Sequence, residues 1–179
     1  MQPFIIFSNF MTTLYLVRHG ETVDNALQLM QGQTQGQLNK KGVKQAQQTS
    51  LIYKDTKIDV FMSSDLYRAI QTCELIAKPH HATIVTTPLL RERDWGDFTG
   101  RFIPDLKGLP FPENVESMDD LLNRATSFLT YVKQVCPHGS ILAVGHGIIN
   151  KAIQSVLYHK PMSEIKRMEN TEVRKLEIV

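Results

Sequence analysis

Cysteine is nearly absent from this sequence, with Cys73 and Cys136 its only two. They show neither CxxC spacing nor the density of a secreted disulfide scaffold, so both read as free thiols in a reducing compartment. Cytoplasm is the expected location. A surplus of one charge is missing too: 20 basic residues stand against 18 acidic ones, a formal charge of +2. Any attraction to an anion must therefore be local, and no nucleic-acid partner is expected. The adjacent pair Lys40 and Lys41 reads as the solvated start of a helix. Long hydrophobic runs are lacking as well. The apolar stretch at 4–7 has no basic segment before it and is far shorter than a membrane span, so neither a secretory signal nor a membrane anchor is expected. Internal repeats and low-complexity segments are absent. Residues 1–10 read as a dispensable N-terminal extension ahead of Met11, with an added edge strand at 4–7 as the alternative. Residues 11–179 read as one domain, because this length with 42% hydrophobic content supports one core and hardly two.

What is present is a series of short apolar runs stopped by polar residues. The run at 14–17 ends abruptly in Arg18, His19 and Gly20, as a buried strand does on meeting a loop. Further strands are predicted at 58–62, 82–86 and 141–144, the last stopped by Gly145, His146 and Gly147, with a final edge strand at 172–179. Helices alternate with them. From an N-cap at Asn39, the spacing of Val43, Ala46, Gln47, Leu51 and Ile52 predicts a helix to about Tyr53. Ser63, Ser64 and Asp65 offer caps for a second, whose apolar face holds Leu66, Ala69, Ile70, Cys73 and Ile76 before Pro79 stops it. Ser117 and Asp120 resemble a capping box ahead of a third, and 148–158 reads as a fourth. Residues 88–112 contain Gly96, Gly100, Pro104, Gly108 and Pro110, too many breakers for a long element, and predict a long functional loop. Strand–helix alternation throughout argues an α/β sandwich on a mostly parallel sheet.

In open α/β sheets ligands bind beyond the carboxyl ends of the strands. The first such end carries Arg18 and His19, the second Ser63 and Ser64 with Arg68 one turn into the next helix, and the fourth His146. If those strands are parallel and adjacent, two histidines and two arginines meet. Guanidinium forks match phosphate oxygens and never lose their charge, so the expected ligand is a phosphate dianion. The same positive charges should depress the pKa of His19 below about 6.5 and leave a neutral, nucleophilic imidazole. Gly20 is expected to let the backbone approach the anion, and a helix N-terminus near Arg68 to add partial positive charge.

The string Leu-Val-Arg-His-Gly-Glu-Thr at 16–22 resembles the signature of the histidine phosphatase superfamily, the phosphoglycerate mutase-like group. The resemblance runs over nearly all of 12–179. Asn25, Gln31-Gly32, Leu38, Gly42 and Gln45-Ala46 resemble its next segment, and Ser63-Ser64-Asp65-Leu66 with Arg68-Ala69 and Gln71-Thr72 its second arginine motif. Leu90-Arg91-Glu92-Arg93 with Gly96 and Gly100 resembles its acid-bearing segment, and Val144-Gly145-His146-Gly147 its second histidine. The resemblance implies a three-layer α/β sandwich with helices on both faces of the sheet. It also implies a small phosphomonoester hydrolase in which His19 takes the phosphoryl group. Arg18, Arg68 and His146 would complete the phosphate pocket and Asn25 would assist. Glu92 would protonate the leaving oxygen and then accept a proton from water. Asp94 is the substitute for Glu92. Inorganic phosphate is the expected product, with no cofactor and no metal, since arginines supply the charge stabilisation.

Several readings stay open. A mutase would return the phosphoryl group to bound product, but the span between Gly100 and Ser117 is short and holds only Arg101 and Lys107 as basic groups, which favours hydrolysis. His19 and His146 could instead bind zinc, though arginines beside a metal would repel it and a third ligand is wanted. A phospholigand-binding module without turnover is the third. Trp95 and Phe98 either wall the cleft or anchor the loop. The histidines at 80, 81, 138 and 159 receive no catalytic role.

Overall fold

The computed structural model describes residues 11–179, and the expected extension at 1–10 lies outside the described residues. In chain order the elements are β1 (Thr12–Arg18), α1 (Val23–Ala26), α2 (Lys40–Tyr53), β2 (Val60–Ser64), α3 (Tyr67–Ala77), β3 (Ile84–Thr87), α4 (Met118–Val135), β4 (Ser140–Gly145), α5 (Gly147–Tyr158) and β5 (Val173–Ile178). The strands form one sheet in the order β3-β2-β4-β1-β5. Its first four members are parallel neighbours, and β5 closes one edge antiparallel to β1.

Period-two alternation sorts each central strand between two cores. Leu14 and Leu16 of β1 and Ile141 and Ala143 of β4 pack with Leu121 and Phe128 of α4 and Ile149 and Ile153 of α5. Val17, Leu142 and Val144 point the other way, onto Ala69, Cys73 and Ile76 of α3. The result is the expected three-layer α/β sandwich. Each fully buried leucine or phenylalanine here contributes roughly 1.5–3 kcal/mol.

Two local expectations are corrected. Helix α2 does not bury Leu51 and Ile52, which are 68% and 73% exposed. Its inward face is Gly42, Ala46, Thr49 and Ser50, because small residues let it lie close against α3 and the loop after β1. Ser63 and Ser64 do not cap α3, since the sheet claims both through pairing with Thr86 and Thr87. The helix starts at Tyr67 with no side-chain cap. Ser117 does cap α4 by accepting the Asp120 N–H at 3.0 Å, while its own hydroxyl donates to the Asp120 carboxylate. The loop at 88–112 contains only short 3-10 turns, at Pro88–Leu90, Gly96–Phe98 and Ile103–Leu106. Among the described residues no helix is long and apolar enough to cross a membrane.

Candidate active site

The sheet register sets the two histidines side by side. Arg18 pairs with Gly145 at the ends of β1 and β4, and the ladder runs one step further as the His19 N–H donates to the Gly145 carbonyl at 3.0 Å. His19 and His146 therefore leave adjacent strands at the same level, with ring centroids 5.0 Å apart. Strand β2 flanks β4 on its other side, and Arg68 enters from the first turn of α3. Arg18, His19, Asn25, Arg68, Glu92 and Trp95 line one cavity of about 220 Å³. All six site residues named from the sequence thus come together, with His146 fully buried against His19.

Both arginines are anchored to backbone carbonyls. Arg18 donates from Nη1 to the Met168 carbonyl at 2.8 Å. Arg68, only 1% exposed, donates from Nη1 to the carbonyls of Thr34 and Gln35 and from Nη2 to that of Gly32 at 2.8 Å. The loop supplying those carbonyls needs Gly36, whose φ is +58°; a Cβ there would sit 2.9 Å from Gln31 Oε1 and 3.3 Å from Arg68 Nη1. Arg68 makes no pair with Asp65, which instead holds Arg91 at 2.6 Å. Left over are the Nε atoms of Arg18 and Arg68 and both ring nitrogens of His146, all buried without a hydrogen-bond partner. An unmet buried polar group costs about 1–3 kcal/mol, so this cluster is arranged to be completed by an accepting anion.

The tautomer of His19 is fixed. Its Nδ1 lies 2.7 Å from the Gly20 carbonyl, which can only accept, so Nδ1 carries the proton and Nε2 keeps a lone pair. Burial first, then Arg68 and Arg18, hold the His19 pKa well below its ordinary value of 6.5 against the opposing Gly20 bond. Burial, Arg68 and His19 do the same to His146. Burial also brings Arg68 down to about 10, still a cation at neutral pH.

Those shifts predict acid sensitivity. The unfolded chain takes up protons on both histidines near pH 6.5, whereas the folded chain does so only at lower pH. Stability should be unaffected by them above about 6.5 and fall below it. The slope is at most about 1.4 kcal/mol per pH unit for each histidine, flattening once pH passes beneath the folded values. Urea unfolding from pH 8 to 5 checks this, and His146→Gln should remove one histidine's share of the slope.

Gly20 has a different job from the one expected. A Cβ on it would come within 2.7 Å of the Gly42 carbonyl oxygen, so it permits close approach to α2. Its N–H donates to Thr72, whose hydroxyl donates in turn to the Arg68 carbonyl. Glu92 is fixed by backbone donors: its carboxylate accepts from Arg93 N at 2.9 Å and from Ile148 N and Ile149 N at the start of α5. Asp94 is exposed and does not line the cavity. Asn25 spends its Oδ1 and N–H on a reciprocal cap with Thr22, which leaves its amide N–H groups for the cavity. Trp95 is a wall of the cavity, whereas Phe98 is buried beneath the loop.

Sequence reasoning missed several supports. Arg124 of α4 grips the acid-bearing loop by donating to the carbonyls of Leu89, Arg91 and Glu92 while paired with Glu116 at 2.8 Å. Asn170 donates to the His19 carbonyl at 2.9 Å, and Arg167 lines the cavity. None of these lies at a strand end or in a recognisable spacing, so no local signal marked them.

Residues 14–179 match the model of the histidine phosphatase superfamily, branch 1. The chain belongs to the histidine phosphatase superfamily. Among its relatives is a Bacillus subtilis (strain 168) protein named uncharacterized phosphatase PhoE, 37% identical over 76% of this chain and 72% of its own length. Another, from Proteus mirabilis (strain HI4320), is named probable phosphoglycerate mutase GpmB and is 35% identical over 88% of this chain and 80% of its own. Among solved structures, a phosphoserine phosphatase from Entamoeba histolytica in complex with 3-phosphoglyceric acid superposes with a TM-score of 0.80 at 26% identity. That match covers 92% of this chain and 89% of the other.

Proposed function

We propose that this histidine phosphatase hydrolyses small phosphomonoesters through a phosphohistidine at Nε2 of His19. The observation that carries the reading is the set of unpartnered buried donors, Nε of Arg18 and of Arg68 with the ring of His146, gathered around an imidazole whose free lone pair is Nε2. A phosphoryl group seated there would have its charge met by two guanidiniums without any loss of their protons. The Nε2 lone pair attacks phosphorus as the ester P–O bond breaks, and Glu92 gives its proton to the departing oxygen. The ring becomes cationic, and its Nδ1–H bond to the Gly20 carbonyl stabilises that charge. Water then attacks phosphorus, Glu92 takes a water proton, and inorganic phosphate leaves with Nε2 restored.

No step needs a metal. The neighbours of His19 and His146 are arginines, and among the described residues no three His, Cys, Asp or Glu side chains are grouped to hold an ion. Hydrolysis is favoured over mutase transfer by the loop at 88–112: the Arg101 guanidinium rests over Phe98 at 5.5 Å, and Lys107 lines an adjoining apolar hollow rather than the phosphate cavity itself. The likeness to a protein named probable phosphoglycerate mutase keeps the transfer reading in view. Phosphate release from 4-nitrophenyl phosphate with chelator present, run beside phosphoglycerate isomerisation with a bisphosphate primer, tests both. Release that survives chelator is expected. Brisk isomerisation with little release would replace hydrolysis by transfer, and activity restored only by zinc would replace the arginine chemistry.

Glu92→Gln is expected to slow alkyl phosphates by about 10²-fold or more and aryl phosphates with good leaving groups far less. Equal slowing across leaving groups would remove the acid role.

A further inference from the structure

The acid-bearing loop is fastened to α4 by an ion pair outside the phosphate cavity, since neither Arg124 nor Glu116 lines it. Arg124 faces three carbonyls of that loop, donating from Nη1 to those of Leu89 and Arg91 and from Nη2 to that of Glu92 at 3.4 Å. Its Nε and Nη2 also take the two carboxylate oxygens of Glu116, at 2.9 and 2.8 Å. The pair is mostly enclosed, with side chains 16% and 12% exposed. A two-bond fork of this kind fixes the direction of a guanidinium as a single point charge cannot.

Glu116 ties the loop a second time. Its carboxylate accepts from Asp94 N at 3.1 Å, its own N–H donates to the Asp94 carbonyl at 2.9 Å, and its carbonyl accepts from Nε and Nη2 of Arg93 at 2.9 and 2.7 Å. Glu92 is therefore held at both ends. Its carbonyl faces Arg124 on α4, and its carboxylate accepts from Ile148 N and Ile149 N at the start of α5. Those helices pack on each other through Leu121 and Phe128 of α4 and Ile149 and Ile153 of α5, so both fixed points belong to one rigid pair. Gln33 donates to the same Glu92 carbonyl at 3.2 Å, but from a loop and not from a helix. Groups held by helices are placed more precisely than groups held by loops, and a misplacement of about 1 Å can cost roughly 10²-fold in rate.

We infer that Arg124, locked by Glu116, is a positioning residue that sets the Glu92 carboxyl for proton transfer to the leaving oxygen. This rests on the hydrolase reading above and on Glu92 as its acid. A merely structural ion pair would lower stability and slow every ester alike, or none.

Butyl phosphate, whose departing oxygen needs a proton, and 4-nitrophenyl phosphate, whose departing group does not, test it through kcat/KM, which covers the steps up to P–O cleavage. Arg124→Gln should lower the alkyl value about ten- to thirtyfold and the aryl value less than about twofold. Inhibition by inorganic phosphate should stay as in wild type. In a Glu92→Gln background the same substitution should add nothing, because the group it positions is gone. Arg124→Lys keeps the charge but gives up the fork, and it serves where Arg124→Gln folds poorly; a loss of about three- to tenfold is expected, again on the alkyl ester alone. No slowing, equal slowing of both esters, or an undiminished effect in the Glu92→Gln background would overturn the inference, while aryl turnover leaves the hydrolase reading standing. Failure of wild type on both esters would remove both together.

Discussion

Replacing His19 with alanine should abolish formation of the phosphoenzyme and lower hydrolysis by about 10³-fold or more. No other side chain in the cavity can take over. The His146 ring lies 5.0 Å away and is more enclosed, and the Glu92 carboxylate is drawn toward the start of α5 by the Ile148 and Ile149 N–H groups. The fold should tolerate the change. What is lost is one bond to the Gly20 carbonyl, about 1 kcal/mol net, offset by removal of a buried imidazole that resists protonation. Rapid quenching with labelled substrate reads the outcome, an acid-labile and base-stable label in wild type and none in the variant. A variant that is still labelled and turns over normally would end the nucleophile assignment.

Arg68→Lys should be almost as damaging despite keeping a positive charge. The guanidinium makes three bonds to the carbonyls of Gly32, Thr34 and Gln35 and still has Nε for the anion, a division of labour that one ammonium on a flexible stem cannot repeat. Buried carbonyls would lose their donors and the loop at 31–37 its anchor. A stability loss of about 2–4 kcal/mol is expected. A fall in kcat/KM of about 10²- to 10³-fold should accompany it. Urea unfolding and phosphate affinity, measured on the same protein, separate the two effects. Wild-type affinity in the lysine variant would mean that charge alone, and not the anchored geometry, matters at this position.

How much of this was legible beforehand depends on range. Residues that close a strand announce themselves, because an apolar run stopped by Arg18-His19-Gly20 or Gly145-His146-Gly147 has few other meanings in an α/β chain. Periodicity succeeded for α4, where apolar residues outline the buried face, and failed for α2, where close packing selected Gly42 and Ala46 over the larger Leu51 and Ile52. Gly20 was assigned to the ligand when the backbone of α2 is what approaches it. Arg124 and Arg167 were not found at all. Their importance lies in what the fold brings opposite them, a loop 33 residues away in the first case and a cavity shared with Arg18 in the second.

By itself, the sequence determined the fold class, the strand ends and the chemical kinds of group that gather beyond them, because burial patterns and residue types are local properties of the chain. Only the tertiary structure decided which atoms of those groups stay free. A hydrogen bond is settled by angles and distances of tenths of an ångström between residues far apart in sequence. For that reason the choice of Nε2 on His19 and the buried, unpartnered Nε of Arg68 could be read only from the assembled fold.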